Sequence, residues 1–189
     1  MPVRGNPSPA GYKELMETSR GSGNSRHLGS KGGWERWMAL VLRRAEQVGL
    51  EGEIPVAAVV LDEEGRCIGW GSNRRHRRQD PLGHAELVAL SQAAALRGSW
   101  RFNGCTLVVS LEPCPMCAGA LVQARMGRVV FAAGDPKRGA LGGCLDLSQD
   151  PSAHHAMEVV GQVLEAEASQ GLGAWFQERR RQGGPRAGT

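Results

Sequence analysis

The sequence predicts an α/β fold with helices on both sides of a central sheet. Three observations carry this. Ile54 to Leu61 is an almost unbroken apolar, largely β-branched run, the pattern of a strand buried on both faces. Apolar residues at helical spacing alternate with short strand-like runs along the rest of the chain. The chain has 189 residues, 41% of them apolar and 22% charged, enough for one globular domain with its own core. No internal repeat breaks this pattern.

The elements follow in order. Residues 1–32 are rich in Gly, Ser, Pro and Asn and hold few large apolar side chains. They cannot bury enough surface to offset chain entropy, so they are read as a disordered tail. Trp34, Trp37, Met38, Val41, Leu42, Ala45 and Val48 recur at helical spacing, and Gly49 marks the stop. The Ile54–Leu61 strand and a second strand from Arg66 to Gly71 flank the turn Asp62-Glu63-Glu64-Gly65, giving a hairpin. A polar, Arg-rich loop runs from about Asn73 to Gly83. A helix follows from about His84 to Leu96, with Leu87, Leu90, Ala94 and Val88 expected on its inner side. Then come a strand at Cys105–Leu111, a helix at Cys114–Met126, and a strand at Arg128–Ala133. A Gly-rich loop spans Gly134 to Gly143, and Glu158–Val163 reads as a short last strand. The final helix uses Leu164, Ala168, Leu172, Trp175 and Phe176. Gly171 and Gly173 each weaken it by ~1 kcal/mol relative to Ala, which leaves a continuous helix and one broken there both open. Residues 183–189 read as a frayed end, leaving 33–182 as the folded domain.

The formal net charge is +4, of which residues 1–33 supply +3, so the folded body is nearly balanced. Two basic clusters stand out: Arg74, Arg75, Arg77 and Arg78 around His76, and Arg179 to Arg181. Each is either a solvated surface or an RNA contact. No apolar run approaches the ~20 residues that span a bilayer, and the first residues lack a secretory pattern. Glu14 and Glu17 count against an organelle-targeting segment. A cytoplasmic protein with no membrane partner is expected. Five cysteines at irregular spacing argue against a disulfide framework. Cys67, Cys105 and Cys144 are expected to be inert thiols.

Cys114 and Cys117 form the one close pair. Cysteines at i and i+3 share a helix face, so both sulfurs can reach one ion. Pro115 suits the first helical position, which makes Cys114 the cap. A helix N-terminus favours thiolates, and thiolates with an imidazole are zinc ligands. His84 opens the other helix. One His and two Cys make three ligands, which leaves a coordination position for water, as in catalytic sites. Glu86, two residues after His84, is placed to carry protons. Alone, His-x-Glu could be a dipole-friendly helix start, and Cys-x-x-Cys a redox pair or half a zinc ribbon.

His84-Ala85-Glu86 followed by Pro113-Cys114-Pro115-Met116-Cys117 resembles the pattern described for zinc-dependent nucleobase deaminases. The bacterial tRNA-specific adenosine deaminases are themselves among the proteins from which that pattern is described. Ile54-Pro55-Val56-Ala57-Ala58-Val59, Asn73, Asp80-Pro81, Leu111-Glu112, Ala118-Gly119-Ala120 and Asp135-Pro136-Lys137-Arg138-Gly139 narrow the resemblance to those enzymes, within the cytidine/deoxycytidylate deaminase superfamily. It covers roughly residues 34–182.

The resemblance implies a three-layer α/β/α sandwich with a mixed five-stranded sheet, one zinc per subunit, and a homodimer with each site completed near the partner. It implies hydrolytic deamination to inosine of the wobble adenosine in the anticodon stem-loop, of an arginine tRNA, by a zinc-activated water. His84, Cys114 and Cys117 would hold zinc and Glu86 would shuttle protons. Asn73 and the Ala85 backbone would read the base. Asp135, Lys137 and Arg138 would line the anticodon-loop groove. Phe176 would pack near the site, and Arg179 and Arg180 would meet phosphates. The chain departs from the usual pattern at Leu82-Gly83, where Thr-Ala is commoner, and at Gly134, where a larger residue is frequent. The competing expectation is a free nucleobase or nucleotide deaminase, acting on guanine or dCMP. A non-catalytic RNA-binding subunit would be expected to lack Glu86. The arginine clusters and Asp135–Gly139 favour RNA.

Overall fold

The computed structural model describes residues 31–151, 153 and 155–183. Residues 1–30 of the expected disordered tail and most of the frayed terminus lie outside the described residues, while residues 31 and 32, placed in the tail from sequence, are helical. The elements are α1 (Lys31–Leu50), β1 (Ala57–Leu61), β2 (Cys67–Ser72), α2 (Arg75–Arg78), α3 (Ala85–Arg97), β3 (Thr106–Leu111), α4 (Pro115–Gln123), β4 (Arg128–Ala133), β5 (Glu158–Val160) and α5 (Glu165–Arg181). α1 thus begins two residues before the expected domain start.

The five strands form one mixed sheet in the order β2-β1-β3-β4-β5. β1 pairs antiparallel with β2 and β3, while β3–β4 and β4–β5 are parallel. Alternating residues of the central strands enter two separate cores. Ala58, Val60, Leu107, Val109 and Val129 pack with Ala85, Ala89, Ala93, Ala118 and Leu121 of α3 and α4. Ala57, Val59, Leu61, Val108 and Val130 pack with Trp34, Trp37, Met38, Val41, Ala45 and Ala168 of α1 and α5. The result is three layers, helix on sheet on helix, and it explains why Ile54–Leu61 has no polar alternation.

Several details differ from the sequence expectation. The inner face of α3 is Ala85, Val88, Ala89 and Ala93, whereas Leu87, Leu90 and Ala94 are only partly buried. The cause lies on β2. A Cβ on Gly69 would fall 2.3 Å from the Ala89 carbonyl oxygen, and one on Gly71 would fall 2.1 Å from that of Ala85. The helix therefore lies directly on two glycines, and only small residues fit between. The Arg-rich loop contains the short helix α2. α5 runs unbroken through Gly171 and Gly173, where an added Cβ would meet nothing within 4 Å. α4 is shorter than expected and ends at Gln123.

Candidate metal centre and its surroundings

Two helix N-termini meet at the centre. His84 is the N-cap of α3 and Cys114 the N-cap of α4, both with extended backbone, and Pro115 takes the first helical turn. Placed there, the side chains of His84, Cys114 and Cys117 converge. Their ligand atoms all lie within 4.8 Å of one another. His84 Nδ1 is 3.7 Å from Cys114 Sγ and 3.5 Å from Cys117 Sγ.

These distances fit a zinc ion. Nitrogen at ~2.0 Å and sulfur at ~2.3 Å from one ion, at a tetrahedral angle, stand about 3.5 Å apart. Among the described residues this is the one group of three or more His, Cys, Asp or Glu side chains so arranged. Three ligands leave a fourth position for water or substrate, the arrangement of a catalytic rather than a structural site.

Protonation in the cluster is shared. The Cys114 thiol is lowered to about 3, first by the Cys117 hydrogen bond and then by His84. Cys117 is pushed up, first by its hydrogen bond to Cys114 and then by burial. His84 is held above its ordinary range, chiefly by Cys114. Glu86, in the first turn of α3, is buried, and desolvation raises its carboxyl despite the nearby His84. A buried carboxylate with a raised pKa beside a set of metal-ligating side chains suits proton transfer.

Asn73 follows β2 and is buried. Its Oδ1 accepts the Ala85 amide hydrogen at 2.9 Å, so the two residues expected to read the base are tied to each other. The Asn73 NH2 group is the part that remains for a ligand.

Two buried carboxylates that the sequence did not mark as functional shape the rim. Glu112 Oε1 accepts from the amides of Leu141 (3.0 Å) and Gly143 (2.8 Å), and its Oε2 accepts from Asp135 (2.9 Å). Gly139 and Gly143 close over it; a Cβ on Gly139 would come within 2.2 Å of its carboxyl atoms. Asp135 in turn accepts from the amides of Lys137 and Arg138 at 3.0 Å each. Its carboxylate therefore orders the loop, while Lys137 and Arg138 point to solvent. Glu53, fully buried, accepts from His76 and Arg77 amides at 2.8 and 3.3 Å. In sequence, the signal available for both was a lone acid flanking an apolar segment.

On α5, Trp175 donates Nε1–H to the Gly49 carbonyl at 3.0 Å. Phe176 meets Trp175 edge-on at 5.1 Å, and the Arg179 guanidinium lies 5.4 Å above the same indole. A cleft of about 840 Å³ opens between α1 and α5, with Pro55, Leu111, Trp175 and Arg179 among its walls. Leu111 ends the strand that leads to Cys114. Arg180 is exposed. Cys67 and Cys105 are buried thiols raised to about 11 by desolvation, which fits inert side chains; Cys144 is exposed. Among the described residues no helix is long and apolar enough to cross a membrane.

Comparison with known proteins gives the same picture. The family model of the cytidine and deoxycytidylate deaminase zinc-binding region matches residues 33–133. The tRNA-specific adenosine deaminase of Bacillus subtilis (strain 168) is 41% identical over 147 residues, covering 78% of this chain and 91% of that protein. A solved structure from studies of A-to-I editing by tRNA:A34 deaminases at the wobble position is 35% identical, with a TM-score of 0.69 over 72% of this chain and 98% of that one. A guanine deaminase from Nitrosomonas europaea is 27% identical, with a TM-score of 0.63 over 75% of this chain and 83% of that one.

Proposed function

The chain belongs to the zinc-binding cytidine and deoxycytidylate deaminase family, and from that premise we propose that it is a tRNA adenosine deaminase, converting the wobble adenosine to inosine with release of ammonia. The single observation that carries the choice of substrate is the 41% identity across nearly the whole of a tRNA-specific adenosine deaminase. The guanine deaminase shares the fold at lower identity and a lower TM-score, so guanine is the weaker reading.

In this reading His84, Cys114 and Cys117 hold one zinc per subunit. When bound there, zinc acts as a Lewis acid that brings the pKa of water to about 7. Glu86 takes one proton from the attacking water and gives it to the ring nitrogen, then takes the proton of the new C6 hydroxyl and gives it to the departing amine. Water adds at carbon 6 of adenine, the C6–N bond breaks, and ammonia leaves. The Asn73 NH2 donates to a ring acceptor, and its bond to the Ala85 amide holds it in place. Burial of Glu86 keeps bulk water from exchanging its proton.

The anticodon stem-loop, of an arginine tRNA, lies along the rim. Lys137 and Arg138 stand on the loop ordered by Asp135 and Glu112. Phe176, Arg179 and Arg180 contribute from α5. Splayed single-stranded loops are read by stacking, edge contacts and phosphate charge. The working form is a homodimer in the cytoplasm, with the folded domain spanning 33–182. The test of the substrate is to incubate the protein with an unmodified arginine tRNA and sequence the reverse transcript. Adenosine read as guanosine at the first anticodon position supports the assignment; an unchanged base refutes it.

A further inference from the structure

Outside the metal centre, the densest charge without an assigned role is the segment Arg74-Arg75-His76-Arg77-Arg78. α2 buries none of its side chains, so apolar packing does not explain its shape. Backbone hydrogen bonds do. Glu53 accepts the His76 and Arg77 amides, Arg74 donates its amide to the Gly83 carbonyl at 2.9 Å, and Asp80 donates to the Arg75 carbonyl at 3.1 Å. A fully buried carboxylate thus fixes the backbone beneath four arginines on one short, exposed stretch.

The segment adjoins the reaction centre at both ends. Asn73 precedes it, and Gly83, whose carbonyl holds Arg74, precedes His84. The unusual Gly83 has a steric reason. A Cβ there would lie 3.0 Å from Arg74 Cγ, 3.0 Å from the Asp80 carbonyl oxygen and 3.2 Å from the Arg75 amide nitrogen. The glycine lets the arginine segment sit closely against the start of α3.

The four guanidinium groups are not equivalent. Arg74 is 3.4 Å from Asp80 and Arg77 is 2.5 Å from Glu51. Arg75 and Arg78 have no acidic partner among the described residues, and both are exposed. Both cations stand on one short turn whose backbone Glu53 holds, between Asn73 and the start of α3, and neither is neutralised by an acidic side chain there. Arginine's planar fork matches phosphate oxygens.

We infer that Arg75 and Arg78 form a phosphate-binding ridge that grips the RNA backbone next to the flipped adenosine, on the Asn73 side of the site. This rests on the tRNA reading above. Arg74 and Arg77, already committed to acidic side chains, shape the ridge and contribute less. A solvated surface, or a protein partner on the same face, is the competing outcome.

The test compares wild type, Arg75→Ala with Arg78→Ala, and Arg77→Ala, on tRNA over a range of salt. The double variant is expected to raise KM about tenfold with kcat within about twofold, and to reduce the slope of log affinity against log salt by about 1.5. Arg77→Ala is expected to move the slope by less than half as much. Zinc content stays at one per chain in all three. A wild type that converts tRNA, with a double variant whose salt slope is unchanged, overturns the ridge alone. Equal effects from Arg77→Ala do the same. A wild type that leaves tRNA untouched overturns the substrate reading, and the ridge with it.

Discussion

Asp135 gives its amide hydrogen to Glu112 Oε2 at 2.9 Å, joining the basic loop to the residue that lies two positions before Cys114. Glu112 serves three amides with two oxygens, so an amide side chain cannot replace it. Glu112→Gln keeps an oxygen for Leu141 and Gly143 but turns an NH2 group toward the Asp135 amide. We expect a loss of about 1–3 kcal/mol in stability, and a raised KM for tRNA as Lys137 and Arg138 lose their fixed loop. Urea unfolding and steady-state kinetics check this; an unchanged midpoint and KM would show that Glu112 holds nothing.

Gly71 touches the helix that carries His84 and Glu86. Gly71→Ala forces a methyl group against the Ala85 carbonyl oxygen and the Ala89 amide nitrogen. Overpacking of this kind costs about 1–3 kcal/mol. The helix is expected to shift outward, lowering both the unfolding midpoint and the zinc retained after dialysis. Normal values for both would mean that the helix tolerates displacement.

Glu86→Ala removes the proton carrier without removing a ligand. The variant is expected to keep about one zinc per chain, by metal analysis, and to lose at least about 10²-fold in kcat. Retained turnover would take Glu86 out of the mechanism.

Cys67 supplies a pH test of the core. Its thiol is raised from its ordinary 9.0 to about 11 by desolvation. Between these values the unfolded chain has lost a proton that the folded chain keeps. The stabilising contribution is therefore full below pH 9 and falls away as pH rises toward 11, by about 2–3 kcal/mol in total. Cys67→Ala should lack that part of the alkaline decline in urea melts. Parallel curves for the two proteins would argue against it.

Much of the architecture was legible because burial leaves a pattern. The unbroken run to Leu61 announced a strand covered on both sides, and Pro115 announced the cap at Cys114. The ligand trio could be read because each member sits at a helix start. Long-range hydrogen bonding was not legible. Nothing near Glu53 signals that it holds the amides of His76 and Arg77, so the sequence shows only a polar loop where α2 forms. The inner face of α3 was misjudged because the large side chains Leu87 and Leu90 suggested burial, while Gly69 and Gly71 on a separate element select Ala85, Ala89 and Ala93. α5 runs unbroken through Gly171 and Gly173, where the sequence leaves a break open. Phe176 was expected near the site, and its ring partner is Trp175 on the same helix.

The most direct measurement follows two products at once. Purified wild type and Glu86→Ala are each incubated with arginine tRNA and, separately, with guanine. Inosine is quantified by mass spectrometry of the digested tRNA, and ammonia is measured in the guanine reactions. Inosine is expected from the wild type alone, with negligible ammonia from guanine. Guanine turnover with tRNA left intact would contradict it.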